Sequence, residues 1–212
     1  EGRNMVQIDK SKLSLTDRWI YSRLNDAALS IEKAMEEYHF NDAAQTVYSF
    51  FWNDFCDWYI EASKEKMLHG SEEEKDLQVS ILMDILESSM RLMHPFLSFI
   101  TEEIYQKLPN HKGDVISAQY PIYNEADKDN EADSSMESLQ EVVRVVRAVR
   151  SSLGIGPEKK LKVVVRPSKD NPYASFYKEE EKILSSFMGA SSVIVDSEGS
   201  EDTAKAFPCH GS

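Results

Sequence analysis

Cysteine is scarce in this chain. Only Cys56 and Cys209 occur among 212 residues, too few for a disulfide framework, which reads as an intracellular, cytoplasmic protein. Neither has a second cysteine or histidine at metal-ligand spacing, so no zinc site is expected. No apolar run reaches membrane-spanning length, and no membrane partner is expected. The first residues, Glu1-Gly2-Arg3-Asn4, lack a basic n-region and an apolar h-region, so they are not a signal peptide. Both ends read as cuts in a longer protein. The phosphate-loop, dinucleotide, nucleophile-elbow and zinc-protease motifs are all missing. Five histidines are scattered, none beside a nucleophile. His94, before Pro95, reads as a core or hinge residue. No catalytic residue, metal ligand or bound cofactor is assigned.

An excess of positive charge is also lacking. The net charge is −13, which taken alone argues against a nucleic-acid binder. The total hides an asymmetry. From Leu139 to Lys169 there are eight basic residues and two acidic ones, a local balance of 8 − 2 = +6. The acidic residues gather at Glu72 to Asp76, Glu125 to Asp133 and Glu179 to Asp202.

Aromatic and aliphatic residues are plentiful. Phe50 to Glu61 reads FFWNDFCDWYIE, apolar on every side of a helix, the pattern of a rod buried among others. We take it as the hub of a helix bundle. A first helix runs from a Ser14/Asp17 capping box to about Tyr38, with Ile20, Leu24, Ala27, Ile31, Ala34 and Tyr38 inward. A second, capped at Asn41 or Asp42, carries the hub to about Met67. A third starts at a Ser71/Glu74 box and is interrupted at His94-Pro95. It resumes from Phe96 to Tyr105 and stops at Pro109. An acidic loop follows. Ser134 with Glu137 caps a fourth helix, which runs to Leu153 with Leu139, Val142, Val143, Val146, Val149 and Leu153 inward. Gly154 ends it.

The texture then changes. Leu161 to Arg166 and Ser192 to Val195 read as strands, with a helix from Pro172 to Met188 between them. The strands are parallel if they pair directly. Ala204 to Phe207 reads as the start of a third. The expected fold is mainly α, with an extended lead-in over 1–13, a helix bundle over 14–153 and a small α/β unit over 154–212.

Three blocks carry a family likeness. Asp17-Arg18-Trp19-Ile20, Tyr38-His39-Phe40-Asn41 and Phe51 through Glu61 resemble the anticodon-binding domain of valyl-tRNA synthetases. Leu92-Met93-His94-Pro95-Phe96 with Thr101-Glu102-Glu103 is similar to that family's next block, and the likeness covers about Leu13 to Arg166. The hub pattern is specific. The H-P-x-x-x-F-x-T-E-E form is shared with isoleucyl and leucyl enzymes, whose anticodon domain is the nearest alternative. The resemblance implies an antiparallel bundle of the class I synthetase type. It implies a full-length parent that is an ATP-dependent valine–tRNA ligase using Mg²⁺, with tRNA(Val) as partner and a monomeric state. It also implies that the active site lies elsewhere, in catalytic and editing domains of the same chain. The family's bundle begins with a helix that would precede Glu1. Exposed apolar surface, and self-association through it, are expected where that helix would pack.

Two functions are weighed. The first is an anticodon-arm binding module that neutralises phosphates and meets unstacked bases. Its phosphate candidates are Arg144, Arg147, Arg150, Lys159 and Lys160, for which a solvated helix face is the plainer alternative. The resemblance places Ile60, Glu61 and Lys64 toward the anticodon loop, with core packing the alternative for Ile60. The second is a protein-interaction scaffold with no RNA role. In either case at least one buried or half-buried Arg–Asp pair is expected on the hub, whose acids Asp54, Asp57 and Glu61 face Arg18, Arg23 and Arg91, with Asp57 as the first candidate. Removing Asp57 from such a pair would cost about 3 kcal/mol.

Overall fold

In the computed structural model, which describes residues 5–109, 111–156 and 158–196, the chain divides into two units. One ends at Asp133 and the other begins at Ser134.

The first unit is helical. Its first helix, α1, spans Leu15–Glu36. The Ser14 hydroxyl accepts from the Asp17 N–H at 3.3 Å, and the Asp17 carboxylate accepts from the Ser14 N–H at 3.0 Å. These two bonds satisfy donors that a helix start leaves open. Trp19, Ile20, Ala27, Ala28 and Ile31 are buried. Helix α1 ends in a Schellman motif. The His39 N–H reaches the Ala34 carbonyl at 2.7 Å and the Tyr38 N–H reaches Met35 at 3.2 Å. Tyr38 thereby adopts φ +60°, where glycine is usual. It is 79% exposed, correcting the inward placement expected of it. Tyr38→Gly is expected to raise the unfolding free energy by about 0.5–1 kcal/mol, read as a higher urea midpoint. A midpoint unchanged or lower would refute this account of the turn.

The next rod is continuous but changes its winding. Helix α2, Phe40–Ser49, starts at His39, so Asn41 and Asp42 fall inside its first turn and do not cap it. From Phe50 to Ile60 the rod is a π-helix, and α3, Glu61–His69, restores the α form. Phe50, Phe55 and Tyr59 are buried. The π segment touches α1, α2, α3 and α4, the helix Glu72–Met93, so it is the hub in the packing sense. It is not apolar-buried all round. Trp52 is 49% exposed and Trp58 is half-buried. Ring contacts run from exposed Tyr48 through Trp52, Phe51 and Phe55 to buried Tyr59 at centroid separations of 5.8–6.3 Å.

Helix α4 opens with the Ser71/Glu74 capping box. It stops just before His94-Pro95, because proline offers no donor to continue the ladder. The Phe96 and Leu97 N–H groups both turn back to the Met93 carbonyl at 3.0 Å. Helix α5, Ser98–Tyr105, follows, and the His94 ring sits 2.9 Å from the Thr101 hydroxyl across the break. His94 is thus a clasp on the turn. Helix α6, Asn130–Ser152, starts before the expected Ser134 cap. The Asp129 carboxylate takes the Ala132 N–H at 2.9 Å and caps it there.

In the second unit, Leu139, Val142 and Val143 of α6 are buried, whereas Leu153 is 51% exposed, against expectation. Strands β1, Lys162–Val165, and β2, Ser192–Val195, pair in parallel with Val163 opposite Val193. The crossover is two helices, α7, Ala174–Glu179, and α8, Glu181–Met188, parted at Glu180. Phe176, Tyr177, Ile183, Leu184, Phe187 and Val193 form its core. The expected strand at Ala204 to Phe207 lies outside the described residues.

Candidate nucleic-acid interface

The hub's C-terminal end holds the first group of candidates. Ile60 closes the π segment and is half-buried. Glu61 opens α3, and its carboxylate pairs with the Lys64 ammonium one turn on. Lys64 keeps 56% of its side chain exposed. An exposed pair of this kind adds little stability, so Lys64 can exchange its partner for a phosphate at small cost.

Beneath this end lies a buried polar network that sequence reasoning assigned only to capping. Asp17 is 2% exposed. One carboxylate oxygen accepts from the Tyr59 hydroxyl at 2.7 Å. The other accepts from the Ser14 hydroxyl at 2.6 Å and from the Lys66 ammonium at 2.7 Å. Tyr59 in turn accepts from the Gln78 amide at 2.8 Å. Burial alone would raise the Asp17 pKa. The Lys66 charge, with hydrogen bonds from Lys66, Ser14 and Tyr59, outweighs it and holds the carboxyl below its ordinary value. For Tyr59, burial and the Asp17 charge both push the phenol well above its usual range, so it stays a donor.

The hub's other ion pair is Arg23 with Asp54, at 2.9 Å. Burial raises the Asp54 pKa, only partly offset by Arg23. The half-buried Arg–Asp pair expected on the hub thus forms, but at Asp54 rather than at Asp57, which is exposed. A π-helix takes more than four residues per turn, so positions three apart no longer share a face as in an α-helix. Asp54 faces inward and Asp57 is turned out. Arg18 also departs from expectation, pairing with Asp129 at 3.4 Å and Glu131 at 2.9 Å.

In the second unit, the arginines of α6 separate by role. Arg144 is exposed and pairs with Glu141 at 3.0 Å, one turn away. Arg147 donates to the Phe187 carbonyl at 3.1 Å, at the end of α8 where a cation complements the helix dipole. Arg150 donates to the carbonyls of Gly156 and Lys159 at 2.8 and 2.9 Å. Its Nη1 is buried, with no partner among the described residues. Arg150 thus holds the α/β unit together and is poorly placed to leave for a phosphate, whereas Arg147, although bonded to the end of α8, stays exposed. Lys159 and Lys160 are exposed, and among the described residues neither lies within ion-pair distance of a carboxylate.

Among the described residues no group of three or more His, Cys, Asp or Glu is placed to hold a metal ion. No described helix is long and apolar enough to cross a membrane.

Comparison with known proteins gives a consistent result. The family described as the anticodon-binding domain of tRNA ligase matches residues 17–165. The valine–tRNA ligase of Treponema denticola is 40% identical over 209 residues, covering 92% of this chain and 23% of that protein. That of Treponema pallidum is 43% identical over 180 residues, covering 79% and 19%. That of Thermotoga maritima is 35% identical over 201 residues, covering 95% and 22%. The chain spans about a fifth of the length of these curated relatives.

Proposed function

Since this chain belongs to the anticodon-binding domain family of tRNA ligases, we propose that it receives the anticodon arm of tRNA(Val) within a valine–tRNA ligase. The observation that carries this reading is the family match over 17–165, joined to valine–tRNA ligase relatives that cover most of the chain. The parent joins L-valine to tRNA(Val) with ATP and Mg²⁺, as a monomer in the cytoplasm. Its catalytic and editing domains belong to the part of the relatives' length that this chain does not span.

The chain's own contribution is binding and orientation. Lys64 at the hub's end supplies a mobile cation, with Ile60 and Glu61 beside it for the apolar and acceptor contacts that unstacked bases take. Arg144, Lys159 and Lys160 supply phosphate contacts from the second unit. Each group acts at contact range, where a local cation attracts phosphate despite the acidic total of the chain.

A titration with tRNA(Val) over a range of salt tests this, using the full-length ligase. Affinity is expected to fall linearly in log–log form, with a slope of about 0.7–0.9 per phosphate neutralised. Binding that is indifferent to salt, with aminoacylation unchanged in Lys64→Ala, would sink the reading in favour of a protein-interaction scaffold.

A further inference from the structure

We infer that Asp17 and Tyr59 are positioning residues for tRNA recognition, a conclusion that rests on the reading above and extends it to groups no RNA can touch. Both are nearly solvent-free, at 2% and 1% exposure. Their effect on a ligand must pass through the backbone they hold.

The candidate contacts are bracketed along the chain. Tyr59 directly precedes Ile60 and Glu61, and Lys66 follows Lys64 by two residues. Tyr59 and Lys66 both bond the same carboxylate, Asp17, at 2.7 Å. Through Tyr59 the Gln78 amide joins at 2.8 Å, and through Ser14 the start of α1 joins at 2.6 Å. One carboxylate thus ties α1, the π segment and α3, and through Tyr59 also α4.

The place matters because the rod changes winding here. The π form ends at Ile60 and the α form begins at Glu61. At such a junction, moving the seam by one residue turns every later side chain about the helix axis. Each residue of drift adds a small rotation, and a drift of several residues would carry Glu61 and Lys64 off their face. The phenol of Tyr59 and the ammonium of Lys66, fixed on either side, hold the seam at one position. Ring packing of Tyr59 on Phe55, at 6.3 Å, does not discriminate in this way, because a slipped aromatic can restack.

The test uses the full-length ligase with Tyr59→Phe, which keeps the ring and removes the hydroxyl. KM for tRNA is expected to rise on the order of fivefold to tenfold. Valine-dependent pyrophosphate exchange, which needs no tRNA, is expected to be unchanged. Lys64→Ala reports the contact itself, and Ile81→Val on α4 serves as a core variant of comparable stability loss. A rise in Tyr59→Phe and Lys64→Ala but not in Ile81→Val supports the inference. A rise in Lys64→Ala alone overturns it and leaves the functional reading standing. An equal rise in Ile81→Val also overturns it, since general softening then suffices. No rise in any variant removes the functional reading of this end, and the inference with it. Asp17→Asn, which keeps an acceptor for Tyr59, is expected to give a smaller rise than Tyr59→Phe.

Discussion

Asp17→Ala is expected to lower the unfolding free energy by about 3–5 kcal/mol, the range for breaking a buried ionic contact. The size follows from the groups left behind. The Tyr59 hydroxyl is stranded without its acceptor inside the core, and a buried unsatisfied donor costs about 1–3 kcal/mol. The Ser14 cap is deprived of half of its reciprocal pair, worth about 1 kcal/mol. Lys66 keeps a third of its side chain in water, so it escapes part of the penalty, which holds the total near the lower end. Asp57→Ala, three residues along the hub from Asp54 and exposed, is expected to change stability by less than about 0.5 kcal/mol. Urea unfolding of both variants decides the matter. Equal losses, or a loss under about 1 kcal/mol for Asp17→Ala, would refute the assignment of the central carboxylate.

The same carboxylate predicts a pH dependence. Its folded pKa lies below its ordinary value, so the unfolded state binds the proton more readily. The stabilisation from ionised Asp17 is fully present above the unfolded aspartate value, about 3.9, and is lost as pH falls through the lower folded value. The stability gap between the natural chain and Asp17→Asn should therefore be constant near neutrality and shrink below about pH 4. A gap that widens in acid would contradict a depressed folded pKa.

Charge reversal at Arg144, Lys159 and Lys160 together is expected to weaken tRNA binding by the full-length ligase at least about tenfold, or about 1.4 kcal/mol. It should also lower the salt slope by about two to three, since each phosphate left without its cation removes about 0.7–0.9. Thermal stability should hardly move. Among the described residues the only ion pair given up is the Arg144–Glu141 pair, which is exposed on both sides and worth about 0.3–0.5 kcal/mol as a helical neighbour pair. Arg150→Ala should behave in the opposite way. It removes donors to the Gly156 and Lys159 carbonyls, so it should lower the stability of the second unit while leaving the salt slope intact. If instead the triple variant binds within twofold of the natural protein and Arg150→Ala abolishes the slope, this division of roles among the basic residues is wrong.

The features legible in the sequence were mostly those whose hydrogen bonds span four residues or fewer, the strand pairing being the exception. Ser14 with Asp17 and Ser71 with Glu74 cap helices where the spacing says they should. Pro95 interrupts a helix because its ring nitrogen has no proton to give. The valine-rich strands pair in parallel as the strand–helix–strand order implies. What tertiary structure alone decided was which side of each element loses its water. The rod winds as a π-helix over Phe50–Ile60, and that change of phase leaves Asp54 half-buried and Asp57 turned outward. Arg147 and Arg150 look in sequence like members of one cationic stripe, yet carbonyls 40 and 6 residues away claim them. Asp17 acquires partners 42 and 49 residues distant beyond its local cap. A carboxylate or guanidinium is settled by desolvation against whatever comes to face it, and those partners lie too far along the chain for spacing to reveal.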